Sequence, residues 1–94
     1  MMLLFEWDPI KSKTNFKKHN VTFDEASTCF YDYKAYIFFD EKHSDIEHRE
    51  LLIGYSFQGR LLISSFTNRE SKIRIISSRQ ANKKERRKYE ENRK

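Results

Sequence analysis

The sequence predicts an α+β domain, an antiparallel β-sheet packed with two N-terminal helices and a C-terminal helix. Three observations carry that prediction: two helix-start signals in the first 26 residues, four strand-like segments between Ala35 and Arg79 joined by short turns, and a capped, basic tail. Helices segregated in sequence from consecutive strands give α+β rather than a parallel α/β sheet. At 94 residues the chain is expected to form one domain, residues 1–94, with a single modest core. Eight Phe, five Tyr and one Trp supply burial that an apolar content of 37% would otherwise leave thin.

Met2 to Trp7 (MLLFEW) reads as a short first strand. Asp8-Pro9 then starts a helix, because Asp caps free N–H groups and Pro fits the first helical position. That helix runs to about Lys18 or His19 and ends near Asn20, a residue tolerant of the left-handed conformation. Thr22 and Glu25 have capping-box spacing for a second, brief helix, with Val21 and Ala26 as its hydrophobic staple. Phe23, Ala26 and Phe30 share one face of it. The strands follow: AYIFF, RELLIGYSF, RLLISSFT and KIRIISSR. Gln58-Gly59 marks a tight hairpin and Asn68 to Lys72 a longer loop, so the four strands form an antiparallel meander. Asn82 and Glu85, again at capping-box spacing, open a third helix.

Several function classes drop out on composition. The lone Cys29 has no partner for a disulfide or a metal pair and reads as a small buried thiol. Two glycines and one proline leave no Gly-rich phosphate loop. The apolar start MMLLF is too short for a signal peptide and no run reaches transmembrane length, so a cytoplasmic location is expected. The three histidines, His19, His43 and His48, match no zinc spacing and read as polar surface residues.

Charge is what stands out. Arg79 to Lys94 holds eight of the nineteen Lys and Arg and three of the fourteen Asp and Glu, a net +5, while the 78 residues before it balance at eleven of each sign. A neutral body with one basic end suits a polyanion. Lys83 and Lys84 fall in the first turn of the third helix, where like charge is unfavourable unless an anion binds. Ala81, Glu85 and Tyr89 form a stripe on that helix, bordered by Arg86; Glu85 also completes the cap and Tyr89 reads equally as a docking aromatic.

In the last strand, alternation places Ile73, Ile75, Ser77 and Arg79 on one face and Arg74, Ile76 and Ser78 on the other. Arg74, between isoleucines, requires a carboxylate, with Glu47 or Glu50 as the expected partner, or a bound phosphate. Arg49 follows the acidic, His-containing loop Asp45 to His48, and Arg60 lies beside the hairpin turn. This inventory of cations, His, Tyr and Glu suits metal-independent RNA cleavage, in which the 2′-hydroxyl attacks the adjacent phosphate and no Ser or Cys nucleophile is needed. A non-catalytic nucleic-acid-binding module would need the same charges without the acid and base.

The ordered set of residues also resembles a family. Phe5-Glu6-Trp7-Asp8-Pro9, Lys11, Asn15, Lys18-His19, Val21, Phe23 and Glu25-Ala26 match first. Glu47, Arg49, Ile53-Gly54, Ser56, Gly59-Arg60-Leu61-Leu62, Thr67 and Arg69 follow. Arg74-Ile75-Ile76-Ser77, Arg79, Ala81, Glu85-Arg86 and Tyr89-Glu90 close the series. In these residues the chain resembles the BrnT ribonuclease toxins of bacterial type II toxin–antitoxin systems, which are similar in fold to RelE toxins. The resemblance implies an RNA-cleaving toxin that inhibits translation and is held by a BrnA-like antitoxin, and the residue inventory calls for no cofactor or metal. That antitoxin would carry a ribbon-helix-helix region, assemble with the toxin as a heterotetramer and contact operator DNA. An inactive toxin-derived corepressor is the competing reading.

The resemblance implies catalytic roles for His19, Arg49, Arg74, Arg79 and Tyr89: Arg74 and Arg79 on phosphate with Arg49 and Arg60 in support, His19 as acid or base, and Tyr89 in proton transfer or base stacking. Lys18, Arg60, Lys83, Lys84 and Arg86 would bind RNA. Asn20, Ser64, Ser65 and Ser78 depart from the family pattern, and hydroxyls at Ser64 and Ser65 in a central strand are expected to lower stability.

Overall fold

The computed structural model describes residues 2–43 and 47–92. Asp45 and Ile46 of the acidic loop, and Arg93 and Lys94 of the tail, lie outside the described residues. The order is β1 (Phe5–Glu6), α1 (Pro9–His19), α2 (Phe23–Thr28), a 3₁₀ turn (Cys29–Tyr31), β2 (Tyr36–Phe39), β3 (Glu50–Tyr55), β4 (Leu61–Arg69), β5 (Lys72–Gln80) and α3 (Lys83–Glu91). The sheet order is β1-β5-β4-β3-β2.

The meander of β2 to β5 is antiparallel throughout. The first strand differs from expectation in length and direction. Only Phe5 and Glu6 pair, and they pair parallel to β5, Phe5 against Ile73 and Glu6 against Arg74. Met2 to Leu4 are not part of the strand, although Leu4 O accepts from the Ile73 N–H at 2.8 Å, and the rest of the domain forms the long connection a parallel pair requires. The sheet is therefore mixed at this one edge.

The caps form as their residues dictate. Asp8 Oδ1 accepts from the Ile10 N–H at 2.8 Å, and α1 stops where Asn20 takes φ 58°. Asn82 and Glu85 exchange both capping-box bonds, at 2.8 and 2.9 Å. At α2 half of the expected box is made: Thr22 Oγ1 accepts from the Glu25 N–H at 3.0 Å, but the Glu25 carboxylate turns away to Arg60 and Ser56. The β4–β5 connection is tighter than expected. Arg69 pairs with Lys72, leaving a two-residue turn in which Glu70 has φ 58°.

Two cores occupy the two faces of the sheet. The first, under α1 and α2, gathers Val21, Phe23, Ala26, Cys29, Leu52, Leu62, Phe66 and Ile75. The second, under α3, gathers Ile53, Leu61, Ile63 and Tyr89. Cys29 has no exposed surface, and burial, reinforced by the nearby Glu25 and Asp32 carboxylates, pushes its thiol up to about 12. Ser64 and Ser78, two of the departures from the family pattern, are cross-strand partners whose hydroxyls bond each other at 2.9 Å. Asn15 of α1 reaches the same spot, donating to Ser78 O at 2.8 Å and accepting from Ser78 N at 3.0 Å. The buried hydroxyls thus have partners, which offsets much of their desolvation cost.

β5 carries a bulge. Ser65 pairs with Ser77 and Phe66 with Ile75, so Ile76 is the extra residue. The bulge reverses the side-chain parity beyond it. Directly paired residues share a face, so Arg74 opposite Thr67, Ser77 opposite Ser65 and Arg79 opposite Ile63 all look to the α3 side. Ile73, Ile75 and Ser78 look to the α1 and α2 side. Strict alternation had separated Arg74 from Arg79 and joined Arg79 to Ile75; one inserted residue undoes both assignments.

Candidate functional site

On the α3 side of the sheet lies an open groove of about 800 Å³. Its floor is sheet surface from β4 and β5, including Ser65, Ser77 and Arg79. One wall is α3, which contributes Asn82, Lys84, Glu85 and Lys88. Across from it come Phe38, Arg49 and the turn after β2, with Asp40 and His43, and His19 enters from the end of α1. Lys42, Arg49, Arg79, Lys84 and Lys88 against Asp40, Glu41 and Glu85 give five cationic and three anionic side chains, a net +2 before either histidine is protonated. The groove is thus electropositive and amphipathic, with rings and aliphatic stems between the charges.

Arg79 is held in it by a bidentate carboxylate. Its guanidinium donates to both oxygens of Glu85, each at 2.8 Å, and to Gln80 O at 3.3 Å. Burial works to raise the Glu85 pKa, but the bonds from Arg79 and the Asn82 N–H and the charges of Arg79 and Lys88 outweigh it, and the carboxyl is held below its usual range. The same bonds raise the Arg79 pKa. A guanidinium has five N–H donors, so this fork fixes the orientation of Arg79 without using all of them. Its side chain keeps 43% of its surface exposed. Lys88 lies over the Phe38 ring, 4.8 Å from the centroid, which spans the groove from α3 to β2.

Of the residues singled out in the sequence, the groove brings together His19, Arg49, Arg79 and Lys84. Arg49 donates to Glu47 at 3.3 Å, and Glu47 also meets Arg69 at 3.6 Å. The others lie elsewhere, each for a visible reason. Arg74 shares the face of Arg79, but five residues along a strand is roughly 15 Å, and it pairs with Glu6 of β1 at 3.3 Å rather than with Glu47 or Glu50. Tyr89 is 3% exposed, donates its hydroxyl to Asp32 at 2.7 Å and packs edge-on against Tyr55, so it docks α3 onto the sheet and does not reach the groove. Arg60 is clamped on Glu25 through Nε at 2.9 Å and through Nη2, which also donates to Asn20 O at 3.0 Å. That clamp binds α2 to the β3–β4 hairpin. Lys18 and Lys83 are exposed outside the groove, and Arg86 donates to the Tyr55 hydroxyl at 3.1 Å.

The structure adds residues to which sequence reasoning assigned no functional role. Ser77 reaches the floor only because of the bulge. Lys88 follows Lys84 at helical spacing, a signal present in the sequence but masked by the general basicity of the tail. Asp40 and His43 come in from the β2–β3 connection, and their spacing of three carried no recognisable metal or triad pattern. Among the described residues no group of three His, Cys, Asp or Glu side chains is placed to hold a metal ion, and no helix is long and apolar enough to cross a membrane.

Comparison with known proteins agrees with this architecture. The family model for the ribonuclease toxin BrnT of type II toxin–antitoxin systems matches residues 7–85. The crystal structure of the Brucella abortus ribonuclease toxin BrnT superposes with a TM-score of 0.68 at 24% identity, covering 87% of this chain and 100% of that chain. At that identity the likeness is one of fold. No curated protein matches the chain. The family match takes in both N-terminal helices, the whole β2–β5 meander with its bulge and the first turn of α3, and so every residue that lines the groove except Lys88. The chain belongs to the BrnT family of ribonuclease toxins of type II toxin–antitoxin systems.

Proposed function

We propose that this chain is a metal-independent endoribonuclease that inhibits translation by cutting RNA in the α3-side groove. The observation that carries the reading is the convergence of Arg79, Arg49, Lys84 and His19 on one open, electropositive groove. RNA brings its own nucleophile, so the protein need only hold the phosphate, stabilise the charge that grows on it and move protons. Arg79, aimed by Glu85, is the principal phosphate ligand; Arg49, Lys84 and Lys88 add positive potential; His19 transfers a proton. Lys18, Lys83 and Arg86 lie on the flanking surfaces and guide the strand.

Membership in a type II family implies an antitoxin partner. We infer a BrnA-like antitoxin with a ribbon-helix-helix region, a heterotetrameric complex that reaches operator DNA through the antitoxin, and a cytoplasmic site of action. The purified chain incubated in EDTA with an end-labelled oligoribonucleotide should produce fragments ending in a 2′,3′-cyclic phosphate. Loss of cutting in EDTA, restored by a divalent ion, would overturn the metal-free mechanism. Intact RNA with salt-sensitive binding would leave a binding module. Growth arrest on induction, relieved by the neighbouring gene, tests the toxin role.

A further inference from the structure

The nuclease reading assigns one proton-transfer residue, yet cleavage by 2′-hydroxyl attack moves two protons, and the groove holds a second imidazole that is better oriented than the first. His43 places Nδ1 3.2 and 3.3 Å from the two oxygens of Asp40. Asp40 is itself fixed: its side chain is 8% exposed, its N–H donates to Arg49 O at 2.9 Å, and Oδ1 accepts from Lys42 N at 3.2 Å. A carboxylate can only accept, so Nδ1 carries the proton and a neutral His43 presents Nε2 as a free base. His43 keeps 64% of its side chain exposed, and both residues line the groove with Arg79 and His19. A hydrogen-bonded carboxylate behind a histidine, in a groove that also holds cations, is an arrangement suited to a general base.

We propose that His43, held in its Nδ1–H form by the positioning residue Asp40, is the general base of this groove and that His19 is its acid. This rests on the nuclease reading. His43 Nε2 takes the proton of the 2′-hydroxyl as that oxygen bonds to phosphorus. The bond from phosphorus to the 5′-oxygen breaks, and the leaving oxygen takes a proton from protonated His19. The products are a 2′,3′-cyclic phosphate and a 5′-hydroxyl. One proton enters at His43 and one leaves at His19, so the sum is balanced and exchange with water resets the pair.

The test uses a fluorogenic oligoribonucleotide and the full-length chain. His43→Ala should cut roughly 10²- to 10⁴-fold more slowly at unchanged melting temperature, and added imidazole should restore part of the rate. Asp40→Asn should lose less, and ¹⁵N spectra should show His43 moving from the Nδ1–H tautomer toward Nε2–H. An active wild type with His43→Ala within twofold of it would overturn the proposal and leave the nuclease reading standing. A slow His43→Ala that imidazole does not rescue would make the residue structural and overturn it too. A wild type that cuts nothing in any buffer would overturn both.

Discussion

Two bidentate arginine–carboxylate pairs stand on opposite sides of the same sheet, and they have opposite uses. Arg60 and Glu25 join α2 to the β3–β4 hairpin. The Glu25 side chain is 8% exposed, and Arg60 and Ser56 Oγ occupy both of its oxygens. Arg79 and Glu85 join β5 to α3, but the arginine is half open to the groove and retains donors. A pair whose carboxylate is shut away from water is architecture, because Glu25 without Arg60 would be left buried and unmatched. A pair at the lip of a groove orients one member for a third group. The environment, and not the residue types, decides which.

The largest expected effect is on the sealed side. Arg60→Ala should destabilise the domain by about 3–5 kcal/mol, the usual cost of orphaning a buried charge, seen as a large drop in urea midpoint. Glu25→Ala combined with Arg60→Ala removes both charges and should be more stable than Arg60→Ala alone. A double variant as unstable as the single would mean that Arg60 acts through Asn20 and not through Glu25.

The mirror experiment on the open side should give the opposite pattern. Arg79→Ala should slow RNA cleavage about 10²- to 10³-fold, the typical loss for one charge-stabilising donor, while the melting temperature moves only a few degrees, because the exposed ion pair is worth little and the Asn82–Glu85 capping box remains. An Arg79→Ala protein that melts as early as Arg60→Ala would erase the distinction between the two pairs.

Acid should weaken both pairs together. In Glu25 the bond from Arg60 lowers the pKa against the opposing effect of burial, helped by Ser56 and by the Arg60 charge. In Asp32 burial raises it, but the Tyr55 N–H, the Tyr89 hydroxyl and the Lys34 N–H reverse the sign. Glu85 behaves likewise. Folded values below the unfolded ones mean stability that is fully present above about pH 4.5 and is lost as pH falls through the folded values. The melting temperature should therefore be flat from pH 7 to about 5 and fall below that. Glu25→Gln should flatten the acid limb more than Glu85→Gln, since Glu25 is the more deeply buried. An equal change would show that exposure does not separate them.

How much of this could be read from the sequence follows the range of each interaction. Caps at Asp8, Thr22 and Asn82 were legible, because capping is settled within four residues. So were the β2–β5 meander and the buried Cys29. The partners of Arg74 and Arg60 were not: Glu6 is 68 residues from one and Glu25 is 35 from the other, and no local pattern names them. Nor was the bulge at Ile76, since an inserted residue in KIRIISSR looks like any other isoleucine. That single residue sets which face Ser77 and Arg79 occupy, so the groove was invisible even though four of its residues had been named as catalytic or RNA-binding.

The smallest effect separates the two faces once more. Ser64 and Ser78 lie in the helix-side layer, and their hydroxyls bond each other in a place with at most 1% exposure. Ser64→Ala or Ser78→Ala alone leaves one hydroxyl without that partner and should cost about 1–3 kcal/mol. The double variant removes both polar groups and nearly preserves the packing, so its stability should return to within about 1 kcal/mol of the parent. The coupling of the two substitutions, read from a double-mutant cycle in urea, is the measured quantity. Simple additivity would show that the two hydroxyls do not depend on each other, and the pair would then carry no weight in holding β4 to β5 beneath α1.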